Sequence, residues 1–368
     1  MASSRTNPVL IAGAGAVGLA VALGLARRGI AVVVLEAESR LVEEYRASTF
    51  HPPTIEMLDG LGEGAPLRAK GLVADKFQFR DRQTGLISEF DMEVLADDTR
   101  YPYRLQIEQF ALVQLLYDDL VKLPNAQVHF RNRVTGVNQT ADGVVVTVET
   151  PDGPAEFEGC YSIGADGGRS EVRHSLGIEF EGMIYPERYL VTFTTFDFWK
   201  VMPDLAHVNY VSDPEEWFVL LRSPGLWRVL FPTNPDETVF DEDPDTATMD
   251  GLAQERYQRV WATAEPYPIT HRNVYRVHQR VATRYRVGRG LLAGDAAHVN
   301  NPLGGMGLNG GIHDAVMLTD AIGRALESGG DNASLDHYAN ERRRIAVQYI
   351  QAQTAQNEQN MHQRDPEV

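Results

Sequence analysis

Gly13, Gly15 and Gly18 stand in GAGAVG, directly after the apolar run PVLIA and ahead of a small-residue stretch from about Val17 to Arg28. In a strand–turn–helix unit the first such glycine permits a tight turn and the second lets backbone approach a pyrophosphate. The third lets helix and strand pack closely. Ala16 and Val17 open the helix, whose N-terminus carries partial positive charge toward phosphates. AVVVLE reads as the next buried strand. Glu36 closes it 18 residues after Gly18, where an acid binds a ribose 2′-hydroxyl and repels a 2′-phosphate. The unit holds a dinucleotide other than NADP, and alone it leaves NAD and FAD open.

Two further motifs narrow the choice. YSIGADGGRS (Tyr161 to Ser170) runs a strand into Asp166-Gly167, and RGLLAGDAAH (Arg289 to His298) runs another into Gly294-Asp295. NPLGGMGLNGG follows, where successive glycines allow close approach to a planar ring. A helix starting near Gly307 or Leu308 would aim its N–H groups at that ring. With the three motifs in this order, the chain resembles the class A flavoprotein aromatic hydroxylases, the family of p-hydroxybenzoate and salicylate hydroxylases, over about Asn7 to Tyr349. The resemblance implies FAD as cofactor and NADH or NADPH as a transient co-substrate. No second GxGxxG offers a separate nicotinamide domain.

Carried over by position, the resemblance gives Asp295 a hydrogen bond to the FAD ribityl chain and Asp166 a part in FAD and nicotinamide handling. Arg46, in YRASTFHPPTIEML, would contact the pyrophosphate and ribose. Gln106, beside Arg104, would make another ribityl contact. Gly305, Gly307, Leu308 and Asn309 would lie at the flavin ring, where the helix dipole stabilises the anionic reduced form. Pro302 resembles the proline beside the ring whose carbonyl can meet substrate, although Asn301-Pro302 stands where familiar members have Pro-Pro. Aspartates that end strands at glycine also cap turns, and His298 reads as structural.

The reaction so implied is reduction of the flavin by NAD(P)H, capture of O2 as a C4a-hydroperoxyflavin, and oxygen transfer to a small aromatic or heteroaromatic, phenol-like and possibly carboxylated. Deprotonating the ring hydroxyl enriches the ring, and a dry pocket protects the oxygen adduct. Tyr210, Arg222 and Arg228 are the candidate catalytic or pocket residues beside Pro302, with Trp227 adjacent and Tyr185 further out. Strand alternation turns Trp227 and Arg228 to opposite faces, so at most one meets substrate. A pocket arginine would favour a carboxylate by bidentate pairing. Three other readings remain: an FAD reductase or dehydrogenase that does not use O2, a flavin-binding protein without turnover, and a nicotinamide dehydrogenase. The last leaves the two later motifs unexplained.

The elements that must position these residues imply an α/β fold: a Rossmann-like FAD-binding domain with an inserted, mainly antiparallel β-sheet substrate domain. The division is 1–75, 100–180 and 275–368 for the first, and 76–99 and 181–274 for the second. Leu105, Leu112, Leu115, Leu116 and Leu120 recur at helical spacing between Tyr103 and Leu123. AQVHF, GVVVTVE and AEFEGCYSIGA follow as three strand-like runs, with Asp-Gly turns flanking the middle one. Aromatic and β-branched runs from Tyr189 to about Pro232 predict antiparallel strands, joined by KFQFRDRQTGLISEFD (Lys76 to Asp91). The acidic stretch Asn234 to Asp250 reads as an exposed loop before a helix at about Gly251 to Thr263, and the polar tail after about Gln356 as frayed or cut short.

Composition narrows the partners. A formal charge of −17 argues against nucleic acid as a partner, because phosphate binding needs a basic surface. The one cysteine, Cys160, excludes an internal disulfide. Neither a secretory leader nor an apolar run of about 18 residues is present, which predicts a cytoplasmic protein without stable membrane insertion. No metal-ligand spacing occurs. The expected partners are a small aromatic substrate and O2, with the chain a monomer or homodimer.

Overall fold

The computed structural model describes residues 7–43, 45–213, 216–233, 237, 239, 245–329, 332–354 and 356. The uninterrupted apolar runs become strands buried on every residue: Val9–Ala12, Val32–Leu35 and Tyr161–Gly164. They form the centre of a six-stranded sheet ordered Arg286–Val287, Gly290–Leu292, Tyr161–Gly164, Val9–Ala12, Val32–Leu35, Ala126–His129. All pairs are parallel except the outermost, Arg286–Val287 with Gly290–Leu292. Helix Ala16–Arg27 packs against helices Gln109–Leu120 and Met306–Glu327 beside it. Gly153–Gly159 and Val144–Thr150, strands of a separate antiparallel sheet, also contact the central strands, and cover on both faces is what makes such strands continuously apolar.

A second, eight-stranded sheet runs His298–Val299, Ile269–Ala282, Phe180–Thr194, Leu226–Pro232, Phe218–Ser223, Val208–Ser212, Lys76–Asp81, Gly85–Asp91. It is antiparallel apart from the parallel pair Val208–Ser212 with Lys76–Asp81, and it takes in the Lys76 to Asp91 hairpin as expected. Alternation sorts its side chains. Phe218, Leu220, Trp227, Val229 and Phe231 pack with Ala253 and Tyr257 of helix Thr246–Val260. Tyr189, Val191, Phe193, Val219 and Leu230 pack on the other side with Leu303. Strand Ile269–Ala282 is long enough to reach the third motif, where Val281 pairs with His298.

Several local expectations change. Leu105 lies in a short strand, Arg104–Gln106, and the helix begins only at Gln109. Leu105 stands seven residues before Leu112, a spacing that fits a longer helix or a separate element. Strand Arg133–Gln139 was not anticipated, because Gly136 and polar residues dilute its pattern. AEFEGCYSIGA is two strands in different sheets. Gly153–Gly159, whose side chains alternate, joins a three-stranded antiparallel sheet, while fully buried Tyr161–Gly164 enters the parallel one. The acidic loop lies partly outside the described residues, and the helix after it starts earlier than expected, at Thr246. The tail beyond residue 356 lies outside them. Among the described residues, no helix is long and apolar enough to cross a membrane.

Candidate active site

The glycine turn separates two demands. Gly13 has φ +100°, and a Cβ on it would stand 2.5 Å from the Ala165 carbonyl oxygen. A Cβ on Gly18 would stand 2.0 Å from the Gly13 carbonyl oxygen. Both are therefore required by the protein itself. A Cβ on Gly15 would meet no protein atom within 4 Å, so its missing side chain leaves room for something else. Glu36 is pinned at this turn, its Oε2 accepting from the Ala14 N–H at 2.7 Å and its Oε1 from the Glu38 N–H at 2.8 Å.

Beside the turn opens a cavity of about 290 Å³. Gly15, Ala16, Val17, Arg46 and Asp295 line one part of it, with Gly305, Gly307 and Leu308 at the start of helix Met306–Glu327. The large sheet supplies Tyr210, Val219, Leu221, Arg228 and Leu230 opposite Pro302 and Leu303. Eleven of the residues singled out from sequence thus meet around one space: Gly15, Ala16, Val17, Arg46, Asp295, Pro302, Gly305, Gly307, Leu308, Tyr210 and Arg228. Among the described residues, no three His, Cys, Asp or Glu side chains converge as a metal site.

The others stand back from the lining. Gly13 and Gly18 shape the turn from behind. Gln106 is fully buried, its Oε1 accepting from Thr49 Oγ1 at 3.0 Å; three residues on, Gln109 reaches the cavity instead. Asp166 accepts from the N–H groups of Glu171 and Val172 and so caps helix Glu171–Ser175, while its Oδ1 is buried without a partner. Asn309 clasps helix to strand: its Oδ1 accepts from the His51 N–H, and its Nδ2 donates to the Thr49 and Gly305 carbonyls. Arg222 is not brought to the cavity. It pairs across the sheet with Trp227 and lies over the Trp199 and Trp227 rings, on the face opposite Arg228. Pro302 does face the cavity, but its carbonyl already accepts from the Gly305 N–H at 3.0 Å.

Electrostatics divide the cavity. The Asp295 side chain opens onto it, yet the surrounding protein mass still raises its carboxyl by desolvation, with His298 and Arg46 pulling back. Arg228 is 6% exposed, desolvated, and within 3.4 Å of Ser48 Oγ. Behind the third motif lies a network that sequence reading missed. Asp314 accepts from the Gly294 N–H at 2.9 Å, from His298 Nε2 at 2.8 Å and from Arg342 Nε at 2.5 Å. Burial pushes its carboxyl up, but His298 and Arg342 together draw it down to about 2. An anion so held fixes the turn that presents Asp295, and His298 is buried within the network. No local spacing joins residues 294, 314 and 342, so the sequence held no signal for it. Alternation from Arg228 could have found Leu230; nothing marked Ser48.

The model of a family described as "FAD binding domain" matches residues 6–353. The chain belongs to that family. It is 36% identical to para-nitrophenol 4-monooxygenase of Pseudomonas sp. strain WBC-3 over 97% of this chain and 88% of that protein. It is 35% identical to 6-hydroxy-3-succinoylpyridine 3-monooxygenase of Pseudomonas putida strain S16, over 99% and 91%. The crystal structure of p-nitrophenol 4-monooxygenase from Pseudomonas putida DLL-E4 superposes with a TM-score of 0.91 at 34% identity, covering 99% and 91% of the two chains. The chain is an FAD-dependent aromatic monooxygenase, and nothing supports the alternatives without O2 or without turnover. Its residues fit FAD: the open space over Gly15 admits a pyrophosphate, Asp295 opens onto the cavity, and the N-terminus of the 22-residue helix faces it through Gly307 and Leu308. Bound there, FAD supplies the two-electron chemistry by which NAD(P)H and O2 are used.

Proposed function

We propose that this monooxygenase hydroxylates a small phenol or hydroxypyridine that binds as its anion at the Arg228 end of the cavity, with oxygen introduced para to the ring hydroxyl. The observation that carries this is Arg228: a buried guanidinium lining the cavity beside apolar Val219, Leu221, Leu230 and Leu303. A desolvated cation with donors to spare selects an anionic oxygen far more strongly than apolar walls select shape. The two relatives named above act, by their names, on ring positions para to a ring hydroxyl. In the same reading Arg46, Asp295 and the Gly305–Leu308 segment hold FAD, while Tyr210 and Pro302 bound the ring.

The test is a panel of para-substituted phenols and hydroxypyridines offered to the FAD-loaded enzyme with NADH or NADPH. Substrate-stimulated oxygen uptake with oxygen incorporated para to the hydroxyl is expected. Nicotinamide oxidation that proceeds equally without O2 would overturn the reading in favour of a reductase.

A further inference from the structure

Behind the cavity lining, next to Arg228, lies a buried carboxylate that the reading above leaves without a role. Glu108 precedes helix Gln109–Leu120 at its N-cap, yet its side chain caps no helix N–H. It turns instead beneath the large sheet, where its Oε1 accepts from Ser223 Oγ at 3.0 Å. It is 6% exposed, as is Arg228. The two are electrostatic neighbours, but no ion pair closes between them: Glu108 Oε2 and Arg228 Nε are both buried without a hydrogen-bond partner. A buried carboxylate and guanidinium that leave an acceptor and a donor unmet are costly unless something else completes them.

We propose that Glu108 stores the proton of the ring hydroxyl: a phenol enters neutral, its oxygen is held as the anion at Arg228, and its proton comes to rest on Glu108. This rests on the reading of the cavity as a site for a hydroxylated ring. The exchange balances. One ring O–H bond breaks, one carboxyl O–H bond forms at Glu108, and the pocket keeps its total charge.

The surroundings favour that exchange. Burial already pushes the Glu108 carboxyl above its ordinary range, and the opposing pull comes from Arg228 and then Ser223. An anion seated at Arg228 cancels the first of these pulls, so Glu108 takes up a proton as the anion binds. The other groups around the pair do not compete for it. Arg228 cannot accept a proton. Ser48 and Ser223 are neutral hydroxyls. Tyr275, on strand Ile269–Ala282, donates its hydroxyl to the Tyr45 carbonyl at 2.7 Å. His271 on the same strand is held toward its neutral form by burial and by Arg272 and Arg228.

The experiment uses the oxidised, FAD-loaded enzyme without NAD(P)H, so that nothing turns over. p-Nitrophenol is the probe, because its phenol and phenolate absorb differently. It is added in weak buffer below its own pKa, and protons released are counted with a pH indicator. Wild type is expected to bind it as phenolate and release close to no protons. E108Q, which cannot store the proton, is expected to release about one per phenolate bound, or to bind the neutral phenol. Infrared difference spectra of the wild type alone should show a protonated carboxyl appearing on binding, a readout independent of whether E108Q folds. One proton released by wild type, no new carboxyl band, or E108Q behaving as wild type would overturn the role of Glu108 while leaving the ring site standing. Failure of any phenol to bind would end both.

Discussion

The two ends of one cavity are built on different principles. At the nucleotide end, backbone does the work: a parallel strand, a turn that tolerates only glycine at Gly13 and Gly18, and two helix N-termini. At the ring end the backbone is an ordinary antiparallel sheet, and function depends on which face each side chain takes. Arg228 and Arg222 sit on neighbouring strands of that sheet, six residues apart, and end on opposite sides of it. Sterics fix the shape of one end. The other is open to change one residue at a time.

The largest effects should come from the nucleotide end. Gly18→Ala drives a Cβ into the Gly13 carbonyl and should cost about 3 kcal/mol or more, with loss of bound flavin. Gly15→Ala meets no protein atom, so apo stability should change by less than about 0.5 kcal/mol while flavin occupancy falls. Denaturation curves of the apoproteins, read beside flavin absorbance, separate the two. A Gly15→Ala protein that keeps its full flavin would break the contrast between a glycine the fold needs and one the cofactor needs.

At the ring end the contrast is between two arginines. Arg228→Ala should weaken binding of a phenolic ligand by roughly 10- to 100-fold, the worth of about 1.5–3 kcal/mol for hydrogen bonds to a charged group. Arg222→Ala, removed from the Trp199 and Trp227 rings on the far face, should change it less than about 3-fold. Ligand titrations of the two variants decide the matter. The reverse order would mean that the sheet presents its other face to substrate.

This difference also explains what the sequence could reveal. Gly13, Gly15, Gly18 and Asp295 lie in contiguous motifs because one turn and one strand end impose their spacing. The sheet strands were visible as aromatic and β-branched runs, and Trp227 and Arg228 do take opposite faces. Which of Arg222 and Arg228 faces the cavity depends on register with the neighbouring strands, and no single run of residues records that. The same holds for Glu108 and Ser223, 115 positions apart, and for Asp314 with Arg342. Buried polar pairs of this kind are chosen by the folded chain, so their residues look like unremarkable members or neighbours of helices and strands. Leu105 and the two-strand run at Ala155 to Ala165 were misassigned for a related reason. Local periodicity cannot say which sheet a short segment joins.

The smallest effect probes two buried histidines at helix Met306–Glu327: His313 within it, and His51, whose N–H donates to Asn309 Oδ1. Burial, Arg104 and His313 lower His51 to about 3, against a pull from the Gly304 backbone. Burial and Arg342 lower His313 to about 4, with Asp314 pulling the other way. Both are neutral in the folded protein and titrate near 6.5 when unfolded. Below pH 6.5 the unfolded chain therefore binds protons that the native state refuses. The stability each neutral histidine contributes is complete above that pH and is lost as pH falls toward the folded value, by about 1 kcal/mol per histidine per pH unit. Glu63 works in the opposite sense: burial and Asp119 raise its carboxyl to about 7, so the native state gains protons as pH falls from 7 toward 4.5. The whole-protein curve mixes these signs, and the informative quantity is a difference. His313→Gln keeps a polar partner for Thr54, whose Oγ1 lies 3.2 Å from His313 Nε2, and removes the titration. Between pH 6.5 and 5.5 its urea-unfolding free energy should rise by about 1 kcal/mol relative to wild type. A gap that stays constant over that interval would show that His313 takes up its proton without unfolding, and that its surroundings are open to water rather than sealed.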